Sequence, residues 1–158
     1  MSLSSRIYNL LTGSWKITRQ IYGVGLLYGE ALFEINPNNA AELFYSEKGI
    51  FQFNGGKSLT ATRKYVYRHI NDDIYVYFDE ERSFLDDYRL FHRFNMNDLN
   101  VNEEQNTFKF KDVHLCGEDT YNVMYKFNLE KHDEFLIEYN VKGPNKDYLS
   151  ETIFKKNL

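Results

Sequence analysis

Turn signals recur along this chain at short, even intervals, and that rhythm leaves little room for anything but β-hairpins. The signals are Gly13, Gly23 to Gly25, Asn36-Pro37-Asn38-Asn39, Asn54-Gly55-Gly56, Asn71-Asp72-Asp73, Asp86-Asp87, Asn95 to Asn106, Gly117-Glu118, Lys131-His132-Asp133 and Gly143-Pro144-Asn145. Each supplies glycine, proline, Asn or Asp where a backbone must reverse. Between them lie about ten stretches of strand character, at 13–21, 26–35, 41–53, 58–70, 73–82, 88–97, 107–116, 119–129, 134–142 and 147–156. Loops this short join antiparallel neighbours, so the chain reads as a meander. Aromatic residues make up 17% of the chain and there are only two prolines, a composition that suits strands.

One helix precedes the meander. Ser4 and Ser5 are candidate caps, Ile7, Leu10 and Leu11 share one side, and Gly13 stops it. A short helix ahead of about ten strands predicts an all-β fold: a closed, antiparallel up-and-down barrel with the helix plugging one end. At 158 residues the chain is one domain's worth. It is read as a single domain over 1–158, with the helix segment at 1–12 and the barrel at 13–157. A barrel of this size can hold a ligand.

Charge and cysteine content narrow the partners. The formal net charge is −4, which provides no basic excess for nucleic acid. No apolar run is long enough to span a bilayer and no signal peptide opens the chain, so no membrane partner is expected. A single cysteine, Cys116, excludes an internal disulfide framework and fits a cytoplasmic setting.

Alternation assigns the faces. In 107–116, Lys109 and Lys111 must reach water, which turns Phe108, Phe110, Asp112, His114 and Cys116 inward. In 119–129 the inward set is Tyr121, Val123, Tyr125, Phe127 and Leu129. A two-residue turn at Gly117-Glu118 pairs His114 with Tyr121 and Cys116 with Asp119 on that interior face. The same test turns in Trp15, Ile17 and Arg19; Gly29, Ala31, Phe33 and Ile35; Leu43, Tyr45 and Glu47; Ala61, Arg63, Tyr65 and Tyr67. It also turns in Leu90, His92, Phe94 and Met96; Phe135, Ile137, Tyr139 and Val141; and Tyr148, Ser150, Thr152 and Phe154. Tyr75 and Tyr77 fall on the outer parity, which hints at a homodimer surface.

The predicted interior is therefore polar as well as aromatic. Burying so many charged groups is costly unless each is paired or serves a ligand. The ligand-binding candidates are Arg19, Glu47, Arg63, Tyr65, His92, His114, Cys116 and Tyr121. Arg19 and Arg63 can grip a carboxylate or phosphate, or they can pair with Glu47 or Asp112. The motif His114-x-Cys116-x-x-Asp119-x-Tyr121 admits a catalytic reading: His114 as acid/base, Asp119 to orient it and Tyr121 as a hydrogen-bond donor. It also admits a self-satisfied hairpin. His92, His114, Cys116 and Asp119 are acceptable zinc-ligand types, but their spacing is not that of a structural site, and neither metal nor other cofactor is expected.

Gly13-Ser14-Trp15 after a short helix resembles the opening of calycins, the lipocalin and fatty-acid-binding superfamily. Further marks are Arg19, Tyr45-x-Glu47-x-Gly49, Arg63-x-Tyr65-x-Tyr67-Arg68, Phe91-His92, the His114 to Tyr121 motif and Gly143-Pro144-x-Lys146-Asp147-Tyr148. Together these are similar to a family of single-domain, calycin-like proteins of unknown function, along nearly the whole chain. The resemblance implies the barrel and a polar interior, and within the wider superfamily a small hydrophobic or amphipathic ligand. The chain departs from fatty-acid-binding proteins in lacking their helix pair and from secreted lipocalins in lacking their disulfides. The expectation is a barrel that binds a small, partly apolar, anionic molecule; the alternative is a cofactor-free isomerase, lyase or hydrolase at His114, Asp119 and Tyr121.

Overall fold

Three serines compete to start the first helix, and Ser2 wins. In the computed structural model, which describes residues 2–80, 88–95 and 99–157, helix α1 spans Leu3–Leu11. The Ser2 hydroxyl accepts the Ser5 N–H at 3.2 Å. Capping at Ser2, ahead of the expected Ser4 and Ser5, lets Ser4 turn inward to hydrogen-bond His69 Nε2 at 3.0 Å. At the other end Lys156 Nζ donates to the Leu10 and Thr12 carbonyls, and the Trp15 indole N–H donates to Leu11 O at 2.8 Å. Two of the helix's orphan carbonyls, those of Leu10 and Leu11, are thus satisfied by strand residues. Ile7, Leu10 and Leu11 are buried, so α1 stoppers the barrel as predicted.

Eleven strands follow: β1 (Gly13–Ile21), β2 (Gly25–Asn36), β3 (Asn39–Phe53), β4 (Ser58–Ile70), β5 (Asp73–Phe78), β6 (Arg89–Phe94), β7 (Asn100–Asn102), β8 (Thr107–Cys116), β9 (Asp119–Asn128), β10 (Glu134–Lys142) and β11 (Asp147–Lys156). They form one antiparallel sheet in the order β6-β5-β4-β3-β2-β1-β11-β10-β9-β8-β7. β7 is the strand that the turn pattern does not show, three residues inside the Asn-rich stretch 95–106. The expected ends of strands 73–82 and 88–97, with Met96, lie outside the described residues.

The sheet curls until β6 abuts β8. β7 pairs only with Thr107–Lys109 at the start of β8, leaving the rest of that strand to face β6. Among the described residues this seam carries no ladder. Side chains of β8 bridge it instead: Asp112 Oδ2 accepts the Arg93 N–H at 2.7 Å, and the His114 ring packs edge-on against Phe91 at 5.2 Å. Asp112, expected in the interior, is half-buried at this join.

A β-bulge corrects the assignment of faces on β6. Val76 pairs with His92 but Tyr77 pairs with Leu90, so Phe91 is an extra residue. The extra residue breaks strict alternation and turns two neighbours to one side. Phe91 and His92 are both buried, and Leu90, expected inward, is exposed. Ile35 is also exposed, beside the register shift that ends β2.

The plug end of the interior is aromatic. Phe135 stacks on Phe154 at 4.3 Å, and Trp15 meets Phe135 edge-on at 4.8 Å. Tyr75 and Tyr77 are half-buried, with Arg93 and Arg68 over their rings. Arg68 also binds Glu42, a buried outer-face carboxylate that alternation does not flag.

Candidate functional site

The polar interior divides into two parts, one self-satisfied and one open. In the first, Arg19 and Glu47 form a bidentate pair at 2.7 and 2.8 Å, both buried. Arg19 Nε donates to Thr152 Oγ1 at 2.7 Å and the Tyr45 hydroxyl donates to Glu47 Oε1 at 2.6 Å. Burial pushes the Glu47 carboxyl up, but the hydrogen bonds and charge of Arg19, with Arg63 and Tyr45 adding to them, hold it below its usual value. His92 belongs to a neighbouring chain of bonds: Nε2 lies 2.7 Å from the Tyr125 hydroxyl, which lies 2.8 Å from that of Tyr67. Burial, with His114 adding to it, pushes the His92 imidazole down to about 3, so it is neutral at pH 7.

The second part is a cavity of about 320 Å³ at the end of the barrel away from α1. Its walls are aromatic: Tyr65, Phe78, Phe91, Tyr121, Tyr139 and Tyr148. Two guanidinium groups reach it, with His114 and Cys116 on the β8 side. Phe78 and Phe91 stack at 4.5 Å, and Phe91 lies 5.2 Å from His114. This volume sits at the small end of the range for ligand pockets.

Arg63 stands on the cavity side of the Arg19–Glu47 pair. It faces Glu47 across β3 and β4, yet both Glu47 oxygens are taken by Arg19 and Tyr45. Among the described residues no carboxylate forms a salt bridge with Arg63. Its charge acts on the Tyr65, Tyr139 and Tyr148 hydroxyls. The second cation, Arg89, pairs with Glu80 at 2.6 Å, lies over Phe78 at 4.2 Å and neighbours Cys116. Arg89 was not a candidate from the sequence, because the strand parity that exposes it gives no hint that its long side chain crosses the rim. Phe91 was missed because only the bulge turns it in.

The hairpin β8–β9 has the register the two-residue turn predicts, with His114 opposite Tyr121 and Cys116 opposite Asp119. Gly117 takes φ +62° at the bend, the left-handed region a glycine enters freely. The chemistry around it differs from an oriented His/Asp pair. Asp119 faces Lys146 at 3.5 Å, and Lys146 Nζ donates to the Tyr121 hydroxyl at 2.9 Å. Gly143 is constrained differently, by space: a Cβ there would collide with the Asp119 carboxylate. Among the described residues no ion pair joins His114 and Asp119; the His114 ring lies edge-on to Phe78 and Phe91, and its Nε2 is buried with no hydrogen-bond partner among them. Burial and the nearby Arg89 charge lower the His114 pKa. Cys116 is exposed at the rim. Of the sequence candidates, the cavity therefore gathers Arg63, Tyr65, His114, Cys116 and Tyr121, whereas Arg19, Glu47 and His92 lie in the packed interior. Among the described residues no three His, Cys, Asp or Glu side chains converge as a metal site, and no helix is long and apolar enough to cross a membrane.

Solved structures share this architecture at low identity. A crystal structure of Rv2717c from M. tuberculosis aligns with a TM-score of 0.61 and 12% identity, over 99% of this chain and 99% of that one. The S-type phycobiliprotein lyase CPES from Guillardia theta aligns with a TM-score of 0.62 and 9% identity, over 100% of this chain and 94% of that one. At such identities the likeness is one of fold. No curated protein matches the chain. A family model does, over residues 11–156, nearly the whole of the barrel, and the chain belongs to that family of unknown function, DUF6314.

Proposed function

We propose that this barrel is a binding protein for a small, partly apolar anion, which it holds in the cavity with its acidic group on Arg63. The observation that carries the reading is an arginine without a carboxylate partner among the described residues, set in an aromatic-walled cavity. A guanidinium in such surroundings is a strong receptor for a carboxylate, sulfonate or phosphate, because little water competes and two parallel hydrogen bonds are available. Tyr65 contributes a hydroxyl beside it and Arg89 a second, more exposed positive charge. The paired Arg19 and Glu47 act as scaffold, holding the floor on which Arg63 rests. The likeness in fold to a phycobiliprotein lyase is compatible with a ligand inside the barrel and does not select one. The same reading places the chain among calycin-like carriers.

The test is a fluorescence titration with 1-anilinonaphthalene-8-sulfonate, an aromatic anion, and N-phenyl-1-naphthylamine, its neutral counterpart. The expected result is one saturable site for the sulfonate. Arg63→Met should weaken it by about 10-fold or more, the scale of a lost charge-assisted hydrogen bond, and leave the neutral probe within twofold. Equal sulfonate affinity in both proteins would remove Arg63 from the reading.

A further inference from the structure

Resting on that reading, we infer that the ligand is a terminal amphiphile, one acidic group on an apolar body, and that it binds acid-first, with its apolar end emerging at the rim beside Cys116. The asymmetry of the cavity carries this orientation. Arg63, Tyr65 and Tyr139 line both the cavity and the small residual space above the Arg19–Glu47 pair, so they form its floor. Arg63 is half-buried there among phenol hydroxyls, where a charge is screened least. The rim offers an anion far less. Arg89 is half-exposed and already paired with Glu80, and Lys146 is engaged with Asp119 and Tyr121. Phe78 and Phe91, stacked, with the His114 ring edge-on to both at 5.6 and 5.2 Å, line the wall. Among the described residues the cavity's cation without a salt bridge therefore lies at the floor, and those at the rim are paired. A molecule entering tail-first would leave its acid in the poorer, solvated site and set its tail against the Arg63 guanidinium.

Acid-first binding has a second consequence. The cavity is too small for a long chain, so a tail beyond it runs past Cys116 into solvent, and affinity should not fall sharply with length.

Cys116 serves as the reporter. The probe is 6-(bromoacetamido)hexanoate, a carboxylate with an alkylating group at its far end. In the labelling step the Cys116 sulfur attacks the bromomethyl carbon, a C–S bond forms, the C–Br bond breaks, bromide leaves and the thiol proton goes to solvent. Held acid-first, the reagent presents its bromoacetamide to the thiol, and labelling becomes effectively unimolecular. The expected result, read by mass spectrometry, is saturable modification of Cys116 at least 10-fold faster than by the methyl ester, with the excess lost in Arg63→Met. Unfolding of that variant, followed by Trp15 fluorescence, controls for folding. A series of linear alkanoates on the unmodified protein needs no variant: affinity should rise with chain length and then level off. Equal rates for acid and ester, or a steep loss of affinity for longer chains, with sulfonate binding still dependent on Arg63, would overturn the orientation and leave the binding reading in place. Loss of the Arg63 dependence itself would overturn both.

Discussion

Arg19 and Glu47 meet fork to fork inside the barrel, both buried, and the contact has a measurable cost when broken. Glu47→Gln should lower stability by about 3–5 kcal/mol, because it strands a buried guanidinium. The double variant Arg19→Met/Glu47→Leu should lose less than Glu47→Gln. Urea unfolding followed by the single tryptophan, Trp15, reads both. His92 makes the pH prediction. Its folded pKa of about 3 lies below its unfolded value of about 6.5, so between the two only the unfolded chain takes up the proton. That contribution to stability is complete above pH 6.5 and falls as the pH falls, by about 1.4 kcal/mol per pH unit. Going from pH 7 to pH 5 should cost about 2 kcal/mol. His92→Gln, which keeps a partner for the Tyr125 hydroxyl, should remove at least half of that slope; an unchanged slope would assign it elsewhere.

Most elements were legible in the sequence because their turns were. The two-residue Gly117-Glu118 loop fixes the register of β8 on β9, and with it the cross-strand partner of His114. What parity cannot anticipate is an inserted residue. At β6 the bulge exchanges Leu90 for Phe91 at the cavity wall, since a single extra position reverses every later assignment unless it is absorbed locally. Nor does a three-residue strand such as β7 leave a periodic trace. The join between β6 and β8 carries no ladder among the described residues, and the Asp112 side-chain bond to the Arg93 N–H stands where a row of backbone bonds would run. Asp112→Ala should therefore raise amide exchange across Arg89–Phe94 by roughly 10-fold or more, for a loss of about 1–3 kcal/mol. β1 and β2, which pair along the whole of β1, should keep their protection. Uniform acceleration across the sheet would mean that the join does not open on its own.

At the scale of the molecule, the barrel follows from hairpin spacing, and the division of its interior does not. Spacing could place a helix at one end and polar groups inside. Only three-dimensional contact separates a packed lower half, where Arg19 and Glu47 pair, from an upper half where, among the described residues, Arg63 forms no salt bridge. Binding in that upper half should show in the stability of the whole: 1-anilinonaphthalene-8-sulfonate at 100 times its dissociation constant should add about 2.7 kcal/mol, and Arg63→Met at the same concentration much less. A rise in unfolding temperature that ignored Arg63 would point to binding elsewhere on the barrel.

The unladdered join has one more implication. Two strand edges that lack mutual backbone bonds are also templates, and Leu90, Val113 and Leu115 stand exposed on the two strands that flank them. Were the join to part, β6 of one copy would offer its edge to β8 of another.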